Sequence, residues 1–294
     1  MINSFETYHP IVLFTFFVAA IGMGMFLMHP VFLAITIFSA MSLNFALRRG
    51  RFLKDWKLYV PLFLIMAIIN PLISHNGKIV LFYMNGNAIT VEAICYGLAM
   101  ATMLTAVMLW FSSYNEVITS DKFLYLFGKI SPVLALTLSI TMRLVPHFTE
   151  QLSRIAKAQK TMGMDYTTGS IVKRSKSVMR IISILITWAL ENAIETADSM
   201  KARGYGVGKR STFSLFVFER RDGWVLAIIC VLLSVTLVGS VLGYATFYYY
   251  PTFSVISGEW QSFVMYGMYF MLLMLPLVIE LKEALKWQSL KSKM

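Results

Sequence analysis

The stretch ADSMKARGYGVGKR, residues 197–210, ends an alanine-rich run with Arg203 and Gly204, and more glycine and basic residues follow at once. A glycine just past a helix supplies the left-handed residue on which helices commonly close, so the run reads as a helix ending at Arg203. The last carbonyls of such a helix lack partners and carry partial negative charge. An arginine in the last turn is stabilised there, and its planar fork can also point outward and hold a carboxylate at two points. The small neighbours Ala202 and Gly204 would let a partner backbone come close. Ala202, Arg203 and Gly204 thus form a candidate docking end; a solvated basic residue at a helix C-terminus is the alternative.

A second stretch, IAKAQKTMGMDY (155–166), ends in the same way. With an offset of 41, Gly163 falls on Gly204, Glu150 on Glu191 and Ala156 on Ala197. Here Met162 stands where the other run has arginine, and the nearest cation is Lys160. Two positions along an α-helix is a turn of about 200°, so Lys160 replaces the arginine only if the helix end unwinds. Two unrelated amphipathic helices remain the alternative to a paired design.

Other residues that could do chemistry do not converge. GYGVGKR (204–210) has three residues between Gly204 and Gly208 and Arg210 after the lysine. A phosphate loop needs four residues, then Ser or Thr, behind a strand. His9, His29, His75 and His147 sit singly, without metal-ligand spacing. The first three lie at expected membrane edges; His147, at helical spacing from Arg143 and Glu150, could join a local polar cluster. Glu92 and Glu280 lie at the ends of apolar runs, which disfavours a proton relay. Cys95 and Cys230 lie far apart in apolar runs and build no disulfide framework. A membrane-embedded enzyme is therefore the weaker reading, and no metal or cofactor is expected on this chain.

The elements that must hold these ends are mostly membrane. Of 294 residues, 57% are hydrophobic and 14% charged, against about 25% charged in soluble domains. Six apolar segments, 11–28, 30–47, 58–74, 91–111, 224–247 and 263–281, approach the ~20 residues a bilayer crossing needs. At His29-Pro30 the first two form either a tight hairpin or one long kinked helix. Residues 75–90 carry turn signals around a short apolar run and read as a hairpin or loop, and YYYP (248–251) reads as an interfacial aromatic belt. The loop 48–57 holds five basic residues, 112–223 holds 16 and the tail after 281 holds four; only Lys78 lies elsewhere. By the positive-inside rule both termini are cytoplasmic. The net charge of +11 is then a topology signal, and with no basic domain apart from the spans, nucleic acid is not an expected partner. The opening MINSFETYHP lacks the features of a cleavable signal peptide.

The middle segment, 112–223, reads as helical and cytoplasmic. Ser131-Pro132 open a helix to about residue 163, with Pro146 expected to kink or split it. A second helix runs roughly over 172–203, and Gly204, Gly206 and Gly208 stop it. The organisation is thus 1–111 with four spans, 112–223 cytoplasmic, and 224–294 a transmembrane hairpin with a tail.

MKARGYG (200–206), with ALENAIETAD before it, resembles the second of two Ala-Arg-Gly motifs that mark the transmembrane T component of energy-coupling factor (ECF) transporters, the CbiQ/EcfT family. The first motif corresponds to IAKAQKTMGMDY, which keeps Ala158-Gln159 and Gly163 but has Thr161-Met162 for Ala-Arg. SITMRLVPHFTEQ, with Arg143 and Pro146, and HPIVLFTFF at the start are similar too. The resemblance implies an all-α polytopic membrane protein with about six transmembrane helices and long cytoplasmic coupling helices. It implies a non-catalytic scaffold in the cell membrane that links two ABC-type ATPase subunits, which bind ATP and Mg, to one substrate-binding S component for vitamin or metal-ion uptake. Arg203 is then the anchor for one ATPase, and the other site relies on adaptable packing by Met162 and Gly163, with Lys160 secondary. Leu134, Leu138, Met142, Ile182 and Leu185 are the coupling surface toward the S component. A conventional ABC permease is the alternative, but Glu191-Asn192-Ala193 lacks the Ile-x-Leu-Pro that follows in such loops.

Overall fold

A computed structural model describes residues 4–48, 52–74, 77–84, 87–208, 216–254 and 259–291. His75, Lys209 and Arg210 lie outside the described residues. The chain forms two compact units, Met1–Phe123 with Phe216–Met294, and Leu124–Leu215. The expected first and last segments therefore share one unit, and the middle segment supplies all of the other, with its flanks 112–123 and 216–223 falling in the first.

In the first unit a 3-10 turn (Ser4–Thr7) leads into α1 (Pro10–Phe26), α2 (Pro30–Leu47) and α3 (Phe52–Ile73). An antiparallel hairpin of β1 (Val80–Met84) and β2 (Asn87–Thr90) follows, then α4 (Val91–Val117). After the second unit the chain returns with α8 (Arg220–Val241) and α9 (Trp260–Lys291). Helix α4 packs on α1, α2 and α3; α9 packs on α2 and α8; α1 also packs on α8. The core is aromatic: Phe5, Phe16, Phe17 and Trp110 are fully buried and meet edge-to-face at 5.3–6.4 Å.

The first two apolar segments form separate helices joined by Leu27, Met28 and His29, which settles the choice against one long kinked helix. Both His-Pro pairs are helix starts. His9 and His29 Nδ1 accept the amides of Ile11 and Val31 at 3.3 Å, each with proline at the first helical position. Proline loses nothing there, because that amide has no intrahelical partner. Leaving the helix early to cap α2 cuts α1 to 17 residues. Five helices of this unit, α2, α3 from Trp56, α4, α8 and α9, are long and apolar enough to cross a membrane; by length and composition so is one helix of the second unit, Ile171–Ala202. Among the described residues the chain is thus all-α apart from one small hairpin, with several apolar helices of membrane-crossing length.

Three acids act as clamps, Asp222 and Glu92 buried and Glu280 half-buried. Asp222 takes the amides of Glu219 at 2.9 Å and His9 at 3.3 Å, tying the starts of α8 and α1 together. Glu280 accepts the amide of Phe5 at 3.1 Å. Glu92, fully buried, accepts the amides of Lys78 and Ile79 at 3.1 and 3.3 Å.

The second unit holds α5 (Ser120–Ile130, which begins in the first), α6 (Pro132–Thr161) and α7 (Ile171–Ala202). Ser131 and Ser170 cap α6 and α7 through their hydroxyls. Helix α6 runs unbroken through Pro146, which does not split it. Trp188 of α7 receives the edge of Phe148 at 5.4 Å and stacks on His147 at 5.3 Å. His147 therefore packs across the helix pair instead of joining a polar cluster: the nearby Glu150 pairs with Arg154 one turn on, at 2.6 Å.

Candidate functional site

Both candidate docking ends close on the same backbone geometry. At the end of α6, Met162 is the C-cap (φ −84°, ψ 11°) and Gly163 follows at φ +76°. The Gly163 amide donates to the Lys160 carbonyl at 3.0 Å, and the Met164 amide to the Gln159 carbonyl at 3.0 Å. At the end of α7, Arg203 is the C-cap (φ −81°, ψ 7°) and Gly204 follows at φ +84°. The Gly204 amide donates to Lys201 at 2.9 Å, and the Tyr205 amide to Met200 at 3.0 Å. Each is a Schellman closure, with the paired 5→2 and 6→1 bonds that satisfy the last carbonyls. The caps, glycines and closing bonds of the two ends correspond at the 41-residue offset, Met162 to Arg203.

Glycine is required at both positions because a Cβ at positive φ meets its own backbone. A Cβ there would meet nothing else within 4 Å, so both glycines border open space. Ala202, Arg203 and Gly204 are exposed. The Arg203 side chain has no hydrogen bond or ion pair to another described residue. Lys201, two residues earlier, lies 3.9 Å from Asp198.

The first end is organised differently around its cap. Met162 is 70% exposed, the most open apolar side chain of that turn. Lys160 Nζ lies 3.3 Å from Asp165 Oδ2. Asp165 Oδ1 accepts both the amide and the hydroxyl of Thr167, at 2.9 and 2.7 Å. These Thr167 bonds, with Lys160 adding to them, hold the Asp165 carboxyl below the usual aspartate range. The Arg174 guanidinium donates to the Tyr166 carbonyl at 3.0 Å, and Arg180 to the Met164 sulfur. Lys160 is thus occupied by its own turn, and the cationic tip seen at the α7 end has no counterpart here.

Because Met164 reaches Arg180, the first end lies beside the N-terminal third of α7. The second lies about 22 residues further on, about 33 Å along the axis at 1.5 Å per residue.

Of the expected coupling surface, Leu134, Met142 and Ile182 are exposed, while Leu138 and Leu185 are half-buried. Helix α7 carries a longer apolar stripe than the sequence reading named: Met179, Ile182, Ile186, Leu190 and Ile194 are all exposed. Its signal was present as i, i+3/i+4 spacing. The Asp165–Thr167 turn and the Arg174 and Arg180 contacts were also missed; they join residues across a loop, where periodicity carries no information.

Residues 7–215 match the cobalt transport protein family CbiQ. Among curated proteins, the chain is 39% identical over 115 residues to the energy-coupling factor transporter transmembrane protein EcfT of Brevibacillus brevis, covering 37% of this chain and 43% of that one. It is 27% identical over 180 residues to the protein of that name from Leuconostoc gelidum, covering 57% and 67%, and 35% identical over 100 residues to that of Bacillus subtilis, covering 34% and 38%. The matched stretch thus spans less than half of the Brevibacillus and Bacillus proteins and two thirds of the Leuconostoc one. The family match takes in α1 to α7 and both Schellman closures, and the chain belongs to the CbiQ family of cobalt transport proteins as a multi-pass membrane protein.

Proposed function

We propose that this chain is the transmembrane scaffold (T) component of an ECF-type importer, seated in the cell membrane with both termini in the cytoplasm. Two ABC-type ATPase subunits, which carry ATP and Mg, dock on its two helix ends. One membrane S component, which binds the vitamin or metal ion, rests on the apolar faces of α6 and α7. The chain itself is non-catalytic.

The observation that carries this reading is the pair of matching helix closures, one tipped by an exposed arginine. The guanidinium of Arg203 grips a carboxylate in an ATPase groove in two places, and the negative end of α7 holds it in place. Met162 fills the other groove by packing. When ATP binding closes the ATPases, the grooves carry the helix ends with them, and α6 and α7 move as rigid rods. Their exposed apolar residues, Leu134, Met142 and Ile182 with Ile186 and Leu190, pass that motion to the S component. The placement of Lys and Arg supports the orientation: 25 of 26 fall in segments assigned to the cytoplasm.

Tagged chain purified from its native membrane is expected to bring two ATPase subunits and a small membrane protein with it. Arg203→Glu, facing acidic partners, is expected to lose one ATPase contact and uptake. Full retention of both ATPases by that variant would show that Arg203 is not the anchor.

A further inference from the structure

The connection between α3 and α4 holds a second surface. Its hairpin is asymmetric. On β2, Ile89 and Thr90 are 6% and 1% exposed, packed where β2 meets α3 and α4. On β1, Val80, Leu81, Phe82 and Tyr83 are 41%, 55%, 52% and 72% exposed. Strand β1 is therefore the outer strand, and each of these four consecutive side chains is apolar or aromatic. Phe82 and Tyr83, successive residues in regular register, point to opposite faces, so neither face of β1 is a water face.

The end of the unit that carries the hairpin is defined by contacts. Tyr249 donates to the Met28 carbonyl at 2.9 Å, Tyr250 meets Ser74 at 3.4 Å, and Tyr96 packs on both tyrosines at 5.3–5.5 Å. The α1–α2 link, the end of α3, the start of α4 and the α8–α9 connection thus meet here. Exposed aromatics lie on these same segments: Phe26, Tyr248, Trp260 and Phe263. Such a belt marks the membrane–water boundary. The opposite end carries ionic contacts instead, Arg48 with Glu116 at 2.9 Å and Lys122 with the Glu6 carboxylate at 3.7 Å.

We propose that β1 lies in the boundary between lipid headgroups and acyl chains, an in-plane anchor for this end of the protein. Three alternatives are disfavoured physically. Water would meet four exposed apolar residues in a row. Deep hydrocarbon would leave the outer edge of a two-stranded sheet without hydrogen-bond partners. An added partner strand would meet a bulge, because the register shifts between Val80 and Phe82 and Leu81 is the extra residue; bulges blunt edge pairing. At headgroup depth, water and phosphate oxygens reach the backbone edge while the side chains sink into the acyl region. The buried Glu92 carboxylate, holding the amides of Lys78 and Ile79, fixes the start of β1 against the first turn of α4. The inference rests on α3 and α4 crossing a membrane and is independent of how ATPases dock.

The test uses the full chain with Cys95→Ala and Cys230→Ala, carrying the polarity-sensitive dye NBD on Leu81→Cys or Phe82→Cys. The chain is reconstituted in nanodiscs of phosphatidylcholine and phosphatidylglycerol. Expected are blue-shifted emission at both positions and strongest quenching by a spin label at the headgroup or upper acyl chain. Quenching mainly by aqueous iodide, or mainly by a deep-acyl label, would overturn the placement. So would shielding from all quenchers, the result if a second copy or another protein covers the strand. Tyr83→Cys provides the same reading if either of the other variants fails to reconstitute.

Discussion

Arg203→Met would turn the end of α7 into a copy of the end of α6. The two C-caps already share their backbone angles, −84° and 11° at Met162 against −81° and 7° at Arg203, so methionine needs no change of conformation. Within the chain the substitution removes only the favourable meeting of a cation with the helix's negative end, about 0.3–1 kcal/mol. No described side chain loses an ion-pair partner. At a buried docking contact, removing one side of a charge-assisted pair costs about 2–5 kcal/mol. At 1.36 kcal/mol per tenfold, ATPase affinity should fall from about 30-fold to a few thousand-fold, with a melting temperature close to that of the parent. The assay is titration of ATPase subunits onto nanodisc-embedded chain, with thermal unfolding of the chain measured alongside. The residual affinity should also depend less on salt, since the lost contact is ionic. An affinity within about threefold of the parent in a folded variant would refute the anchor. A loss that merely tracked unfolding would refute it as well.

Gly163→Ala and Gly204→Ala should each cost about 1–2 kcal/mol, and by similar amounts, since φ is +76° and +84° and neither new methyl meets another group; denaturant unfolding of the two variants in detergent compares them. The α6–α7 turn should depend on acid. A carboxyl held below its unfolded pKa stabilises the fold above about pH 4 and loses that contribution as pH falls through the folded value. The protection of the Thr167 amide against exchange, relative to its intrinsic rate at the same pH, should therefore fall as the carboxyl protonates, and Asp165→Asn should abolish the dependence. Asp222→Ala should cost about 1–3 kcal/mol per stranded amide, because the amides of His9 and Glu219 lose their acceptor at a site only 2% exposed; thermal unfolding checks it.

Helix starts and stops were legible because they depend on neighbours within one turn. Ser131-Pro132 opens α6 and Gly204 closes α7 as their side-chain and backbone chemistry requires. The 41-residue correspondence was also visible, although few identities mark it. Membrane crossing was readable as composition, but the set of long apolar helices was not: α1 falls to 17 residues because His29 leaves the helix to cap α2, and α7 meets the length and hydropathy of a span despite its charged ends.

The amino-acid order determined the local facts by itself: an arginine at a helix tip, a glycine beside it, apolar segments and the distribution of charge. These rest on i to i+4 interactions and on transfer free energies that each segment carries wherever it lies. Only the tertiary structure decided which groups were already occupied. Lys160 is taken by Asp165, His147 by Trp188, and Asp222 by an amide 213 residues away. It also decided which strand of the hairpin faces outward. Those outcomes depend on which surfaces meet when helices pack, and the spacing of residues along one chain does not encode that meeting.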